Sequence, residues 1–316
     1  MRRFVAAVAS ACFLALLTAI GSCGGHNPGG PTPGGGNNGG GNQQPPPNNL
    51  PVIDSITIQG RRSNEPANFA DVGESIDLTA KVHDDETPAD QLQYEWSAST
   101  GTLDGTGPKV TWMAPSGLSG SAPADVTITL KVIEKYGQPG GPLTFQHDVS
   151  STATLSLHDS VKEIGDMARQ FLVDFSDSTI RDVSYIMRNF DPSCAGTQSE
   201  SSQVADNRVK FKIDRWNVGQ PTVDIPFGNA FCPVPLRVQR GDACSTTPVR
   251  WESTVVKDGH HQVADGMDWI SAFYLPALKA WKLCDSQFTG TCVDTTTGKP
   301  CTDNQLRSMV AGSIRP

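Results

Sequence analysis

The sequence predicts a multidomain chain, an all-β sandwich followed by an α+β domain in which helices come first and an antiparallel sheet second. Three observations predict it. Between residues 51 and 157 apolar residues recur at every second position, with no helical pattern among them. At Val161 the apolar period lengthens to that of a helix, and from Val209 it shortens again. Six of the eight cysteines lie beyond residue 190 and none between 51 and 157, so the two regions also differ in composition. A length of 316 residues suits about two domains. Lys and Arg total 25 against 33 Asp and Glu, a formal charge of −8 without a basic tract, which argues against a nucleic-acid partner. There is no succession of long apolar runs, so a multi-span membrane protein is excluded.

The first element is a leader, residues 1–22. Arg2 and Arg3 precede an uncharged apolar run from Phe4 to Ile20, the layout of a secretory signal. The run is long for such a signal and short for a comfortable membrane span. It ends Ile20-Gly21-Ser22-Cys23, which resembles the bacterial lipobox. That resemblance implies cleavage before Cys23, a diacylglycerol on its sulfur and an acyl chain on the new amine. Several chains at about 0.8 kcal/mol per buried CH₂ make a lasting membrane anchor. A plain cleaved signal and a retained anchor helix are the alternatives. Gly24 carries no inner-membrane retention signal, so analogy with lipoproteins points to the outer membrane. After Cys23, residues up to 50 are Gly, Pro, Asn and Gln with Leu50 as the one large apolar side chain. Such a segment buries nothing and serves as a tether with a root-mean-square span of about 30 Å. His26 within it is solvated.

Residues 51–157 are expected to form the sandwich. Ile56 and Ile58 alternate, then Ile76 to Val82, Leu92 to Ala98, Val110 and Trp112, Val126 to Val132, and Leu155 and Leu157. Short strands at regular spacing, broken by Gly, Pro and Asp, suit a β-sandwich. YEWSASTGTLDGTGPKVTWMAP followed by VTITLKV resembles bacterial immunoglobulin-like and PKD-type domains. The resemblance implies that Trp96 packs into the core and that the module is a spacer or binding platform. The region holds 14 acidic against 6 basic residues. His83-Asp84-Asp85-Glu86 with Asp90 offers oxygen ligands for Ca²⁺ but lacks the spacing of a calcium loop, and reads better as a solvated turn. Alternation places Trp96 and Trp112 with the core rather than on a sugar-stacking surface.

The second folded region is expected over 158–290. Ile164, Met167, Ala168, Phe171, Leu172 and Phe175 make one wide apolar stripe, an amphipathic helix ended by Asp174 and Asp177. A second helix carries Ile180, Val183, Met187 and Phe190, starts with Thr179 and Asp182 as a capping box, and stops at Pro192. A third, shorter one spans about Ser199 to Asn207. Val209, Phe211 and Ile213 then alternate, as do Val249, Trp251, Ser253 and Val255, with an edge or irregular strand at Pro233 and Pro235. DWISAFYLPALKAWKLC fits either a helix or a strand pair, and Pro276 favours two strands joined by a turn. FLVDFSDSTIRDVSYIMRNF, the run into NRVKFKI, and the TPVRWEST and AWKLCDSQF segments resemble the NTF2-like family. That implies three helices wrapped by a curved antiparallel sheet around an apolar cavity. No position matches a catalytic motif of that family.

After loss of Cys12 and lipidation of Cys23, six cysteines remain: Cys194, Cys232, Cys244, Cys284, Cys292 and Cys301. An even number in an exported chain reads as disulfides, with fifteen connectivities open. Cys292 with Cys301, in the tail 291–316, bracket a turn and make a local bridge; Cys232 with Cys244 and Cys194 with Cys284 then follow. A zinc site lacks a CxxC pair, and the even count disfavours a catalytic thiol.

Candidate chemistry is thin. Asp258, His260, His261, Asp265 and Asp268 gather metal-ligand types in ten residues, but Gly259 and the adjacent histidines suit an exposed hairpin tip. HExxH, GxSxG, GxGxxG and phosphate-loop motifs are missing from the sequence. No catalytic residue, metal or cofactor is assigned. The aromatic set Trp216, Trp251, Trp269, Phe273, Tyr274 and Trp281 is the candidate lining of a ligand pocket, with core packing as its competitor. The expected function is a non-catalytic binding or structural role at the envelope, with the membrane and a small apolar ligand or an envelope protein as partners. The alternative is an enzyme acting on a small apolar substrate in an NTF2-like cavity.

Overall fold

The computed structural model describes residues 45–228, 232 and 241–301. The leader, Cys23, His26, most of the tether, Pro233, Pro235 and the tail beyond Cys301 lie outside the described residues.

Two four-stranded sheets come first. One has the order β1 (Val52–Gln59), β3 (Ser75–His83), β6 (Lys109–Met113), β5 (Thr102–Asp104). The other runs β2 (Phe69–Asp71), β8 (Leu143–His158), β7 (Ala124–Gly137), β4 (Gln93–Ala98), with β2 parallel to β8 and the other pairs antiparallel. Their alternating residues meet in a shared core, with Ile58, Ile76, Leu78 and Trp112 from one sheet and Val126, Ile128, Leu155 and Leu157 from the other. This is the sandwich that period-two spacing requires. Trp112 is the fully buried tryptophan, donating Nε1–H to Thr100 O at 2.8 Å. Trp96 packs half-buried against the same core and donates to Gly107 O at 2.9 Å. The His83–Glu86 stretch is a turn in which Asp84 Oδ1 accepts from the backbone N–H of Glu86 and Thr87 at 3.0 and 2.6 Å.

The chain then forms α1 (Ser160–Ser176), α2 (Val183–Ile186) and α3 (Ala195–Lys210). A third sheet follows, ordered β10 (Thr222–Asp224), β11 (Ala243–Val255), β12 (His261–Leu275), β13 (Ala280–Asp294), β14 (Lys299–Pro300), with β9 (Phe211–Val218) also paired to β11. Asp159 caps α1 by accepting from Lys162 N, and Ile164, Ala168, Phe171 and Leu172 bury against the sheet. DWISAFYLPALKAWKLC is two strands joined by a turn at Pro276–Lys279.

The NTF2-like expectation is overturned. About half of the chain is strand against 15% helix in three helices among the described residues, and no domain of helices followed by a curved wrapping sheet is present. The helical layer is too small for one. α2 has four residues, because Asp177 and Asp182 side chains bond nearby backbone N–H groups and set turns where the apolar spacing suggested a continuous helix. α3 is polar almost throughout, with Val204 its one large buried apolar residue. Strands of 13 to 15 residues outweigh both.

Two local features fix the sheet. Gly266 and Gly290 are register partners on β12 and β13, and a Cβ on Gly266 would sit 2.6 Å from Gly290 Cα and 3.0 Å from Phe288 Cε2. The register then slips between Ser271 and Ala272, leaving Cys284 as the extra residue of a bulge. That bulge turns Cys284 toward Cys194 at the start of α3, and the two are bonded. Cys232–Cys244 and Cys292–Cys301 are the other disulfides. These are the three pairs named from the sequence.

Candidate functional site

The six candidate aromatics do not converge on one cavity. Trp216 on the edge strand β9 is 43% exposed and stands in register with Trp251. Trp269 is half-buried on the other side of the sheet, packs on the Cys232–Cys244 bridge and donates to Thr289 Oγ1 at 2.9 Å. Phe273 is half-buried opposite Lys282. The remaining three are buried, in two places.

Tyr274 and Trp281 are cross-strand partners whose rings lie 5.5 Å apart at the junction with the sandwich. Phe69 of β2 enters there, stacked on His158 at 4.8 Å and edge-on to Tyr274 at 4.8 Å. Phe227 packs against Phe69 and Trp281, and the Arg62 guanidinium lies 4.7 Å from its ring. Trp281 Nε1–H donates to Ser160 Oγ, and Ser160 N–H donates to Asp71 Oδ1. Arg62 Nη2 meets Glu65, Asp71 and Glu74 at 2.7, 2.9 and 3.1 Å. Burial opposes its charge, but the Glu65 hydrogen bond and the three carboxylates outweigh that and raise its pKa. Burial pushes Glu74 up to about 7, with Glu65 adding to the rise and Arg62 opposing it.

Trp251 sits where α1 and α3 cover the sheet. Its Nε1–H donates to Ser176 Oγ at 2.7 Å, and its ring lies 5.7 Å from Phe175 and 5.2 Å from Phe288. Two small crevices flank it, each enclosing about 20 Å³, the room of one water. Phe175, Asn207 and Trp251 line both. The first continues past Arg208, Phe211, Ile213 and Ser253, and reaches about 390 Å³ when its open mouth is included. The second holds a carboxyl, Asp268, to which Ser286 donates at 3.0 Å, with Glu200 and Gln203 of α3 alongside. Asp268 is buried, and burial pushes it up to about 7; Ser286 opposes the rise and Asp285 adds to it.

The first crevice has uncompensated polar atoms. Ser253 Oγ, Asn207 Oδ1 and Arg208 Nε are buried without a hydrogen-bond partner among the described residues. Arg208 spends one N–H on Asp174 O at 2.6 Å, a carbonyl in the last turn of α1, where a cation also meets the negative end of the helix dipole. Its pKa is lowered by burial and then by neighbouring Arg181.

The sequence pointed to Trp251 and missed its polar neighbours. Ser253 and Asp268 share strand parity with Trp251 and Ile270, so alternation carried to the end places both on the helix side. Asn207 and Arg208 had no such signal, because α3 shows no apolar stripe. The Asp258–Asp268 group disperses: His260 bonds Asp294, His261 bonds Thr254, Asp265 bonds Arg250, and Asp268 turns inward. No cluster of three metal-ligand side chains occurs among the described residues. No family model, curated protein or solved structure matches the chain.

Proposed function

We propose that this chain is an exported protein held at the bacterial cell envelope by a lipid on Cys23. Its folded part has a non-catalytic binding or structural role there. The observation that carries the second half is the junction. Phe69, the largest apolar side chain of the three-residue strand β2, is fully buried in the core of the helix-and-sheet part rather than in that of the sandwich. A module that only had to hang beside its neighbour would need no such shared core, and interfaces between independent domains are more polar. The crevices beside Trp251 enclose about one water each, which suits a packed module better than a substrate chamber. Three disulfides suit an oxidising compartment.

The test is metabolic labelling with an alkyne-bearing fatty acid, followed by membrane fractionation. The wild-type chain should carry the label and float with the outer membrane. Cys23→Ser should lose the label and leave the membrane. A chain that stays unlabelled, or a label that survives Cys23→Ser, refutes lipid anchoring.

A further inference from the structure

A guanidinium nitrogen of this kind carries two hydrogens, yet Arg62 Nη2 faces three carboxylates, Glu65, Asp71 and Glu74, at 2.7, 2.9 and 3.1 Å. Its Nε–H is buried without a partner among the described residues and serves none of them. One cation against three carboxylates leaves surplus negative charge in a partly desolvated place. Glu74 also stands within hydrogen-bond reach of the Glu65 carboxyl. Two carboxyls that close do not readily ionise together, so the pair is stable with one proton between them. The other titratable groups around Glu74 give no relief. Asp71 already accepts from Ser160 N–H, His158 of β8 is bonded to Glu163 of α1, and Tyr274 of β12 lies near Glu163 and Asp71. Ala114 and Pro115, which bond the backbone of the Gly73–Glu74 turn, carry no charge.

The place of the cluster gives that proton a consequence. Arg62 lies over the Phe227 ring at 4.7 Å and Asn64 donates to Phe227 O, so the loop between β1 and β2 grips the helix-and-sheet part. Glu74 Oε2 accepts from Asp71 N–H at 2.9 Å and pins the end of β2, the strand whose Phe69 fills the junction. The two acids differ in freedom. The Glu65 side chain is fully buried, accepts from Arg62 N–H and lies against Gly60, where a Cβ would collide with its carboxyl. Glu74, in the turn before β3, is partly exposed and can swing out to water.

We infer that this cluster is a proton-operated latch between the sandwich and the helix-and-sheet part, closed while Glu65 and Glu74 share a proton and loosened when both are ionised. As the proton leaves to water, Glu74 swings out, Asp71 N–H loses its acceptor, and β2 releases Phe69 more often. The closed form holds a proton that the open form has given up. Opening therefore rises with pH from about 4.5, where a solvated glutamate titrates, to about 7, where burial holds Glu74, and is level above that. The inference goes beyond the anchored-module reading and stands without it.

The test is hydrogen exchange read by mass spectrometry from pH 5 to 8.5, on the full chain exported and purified in a nonionic detergent. Protection of residues 69–72 and 156–162, corrected for the chemical exchange rate, is divided by that of residues 126–132 in β7 of the same sample. The ratio should fall about tenfold or more between pH 5 and 7.5 and then stay level, a value already reduced for the screening of a partly exposed group. Glu74→Gln keeps an acceptor for Asp71 and a donor for Glu65 without a titrating proton, so it should hold the ratio near its pH 5 value throughout. Glu65→Gln should shrink the slope and keeps the test decisive if Glu74→Gln misfolds. Asp268→Asn, which alters a different buried carboxyl, should leave the slope in place. A ratio independent of pH in the wild-type chain overturns the inference. So does a slope that survives both Glu74→Gln and Glu65→Gln, or one that Asp268→Asn removes, because the proton then sits elsewhere. The exchange is blind to lipid on Cys23, so its failure leaves the anchoring reading to its own experiment.

Discussion

Asp268→Asn gives the sharpest test of how the polar interior works. Burial pushes the Asp268 carboxyl up to about 7, whereas an unfolded chain returns it to about 3.9. Between those values the folded chain keeps a proton that the unfolded chain has released. Stability therefore falls as pH rises from about 4 to about 7 and is level above that. Three units at 1.36 kcal/mol each make the loss on the order of 4 kcal/mol. Asparagine has the size of the protonated carboxyl, and its Oδ1 can still accept from Ser286. Its amide N–H groups cost about 1–3 kcal/mol where they find no acceptor. The variant should thus match or fall below wild type at pH 4 and exceed it by about 1–3 kcal/mol at pH 8, so the two profiles cross. Urea unfolding at half-unit steps from pH 4 to 8, disulfides intact and followed by far-UV circular dichroism, measures this. Parallel profiles would refute the reasoning, because they would mean that Asp268 titrates alike in the folded and unfolded chains.

Glu74→Gln should remove a second, smaller decline over about pH 4.5–7, since burial holds Glu74 at about 7 while partial exposure screens it; a pH–stability scan reads it. Phe69→Ala should cost about 3–5 kcal/mol and expose the chain to protease between His158 and Ser160, which peptide mapping of a timed digest detects. Replacing Cys194 and Cys284 by Ser should cost about 4–5 kcal/mol, as the bridge spans 90 residues, and the Cys292–Cys301 pair, 9 apart, about 2–3 kcal/mol. Paired denaturation curves decide whether that order holds. Gly266→Ala forces a Cβ onto the backbone of Gly290 and should lower stability by about 2–3 kcal/mol, measured by thermal melting.

Much of the fold was legible. Alternation located the sandwich strands and the pair around Pro276, because one face of each is buried and a one-residue slip would expose it. The stripe from Ile164 to Phe175 located α1 for the same reason. The second helix was misread because Ile180, Val183, Met187 and Phe190 keep helical spacing through two Asp-capped turns, and spacing alone does not report hydrogen bonding. α3 outgrew its expected span, running Ala195–Lys210 rather than from Ser199 to Asn207, since the Cys284 bridge and the close fit of Gly196 against Asp285 hold its start. The six aromatics singled out as a candidate pocket lining lie apart on both faces of the sheet, because a list of residues says nothing about which side each takes.

By itself the sequence determined the composition of its first 50 residues, the alternating strands and the even set of cysteines beyond residue 190, all properties of neighbouring residues. Tertiary structure alone decided that Phe69 leaves the sandwich core for the next one, that three carboxylates share Arg62, and that Ser253, Asn207 and Arg208 meet around one space. The first and last of these join residues some 45 to 200 positions apart, and the Arg62 carboxylates, 3 to 12 positions away, are gathered by a non-repeating loop. Burial and desolvation act on distance in space, which local periodicity does not encode.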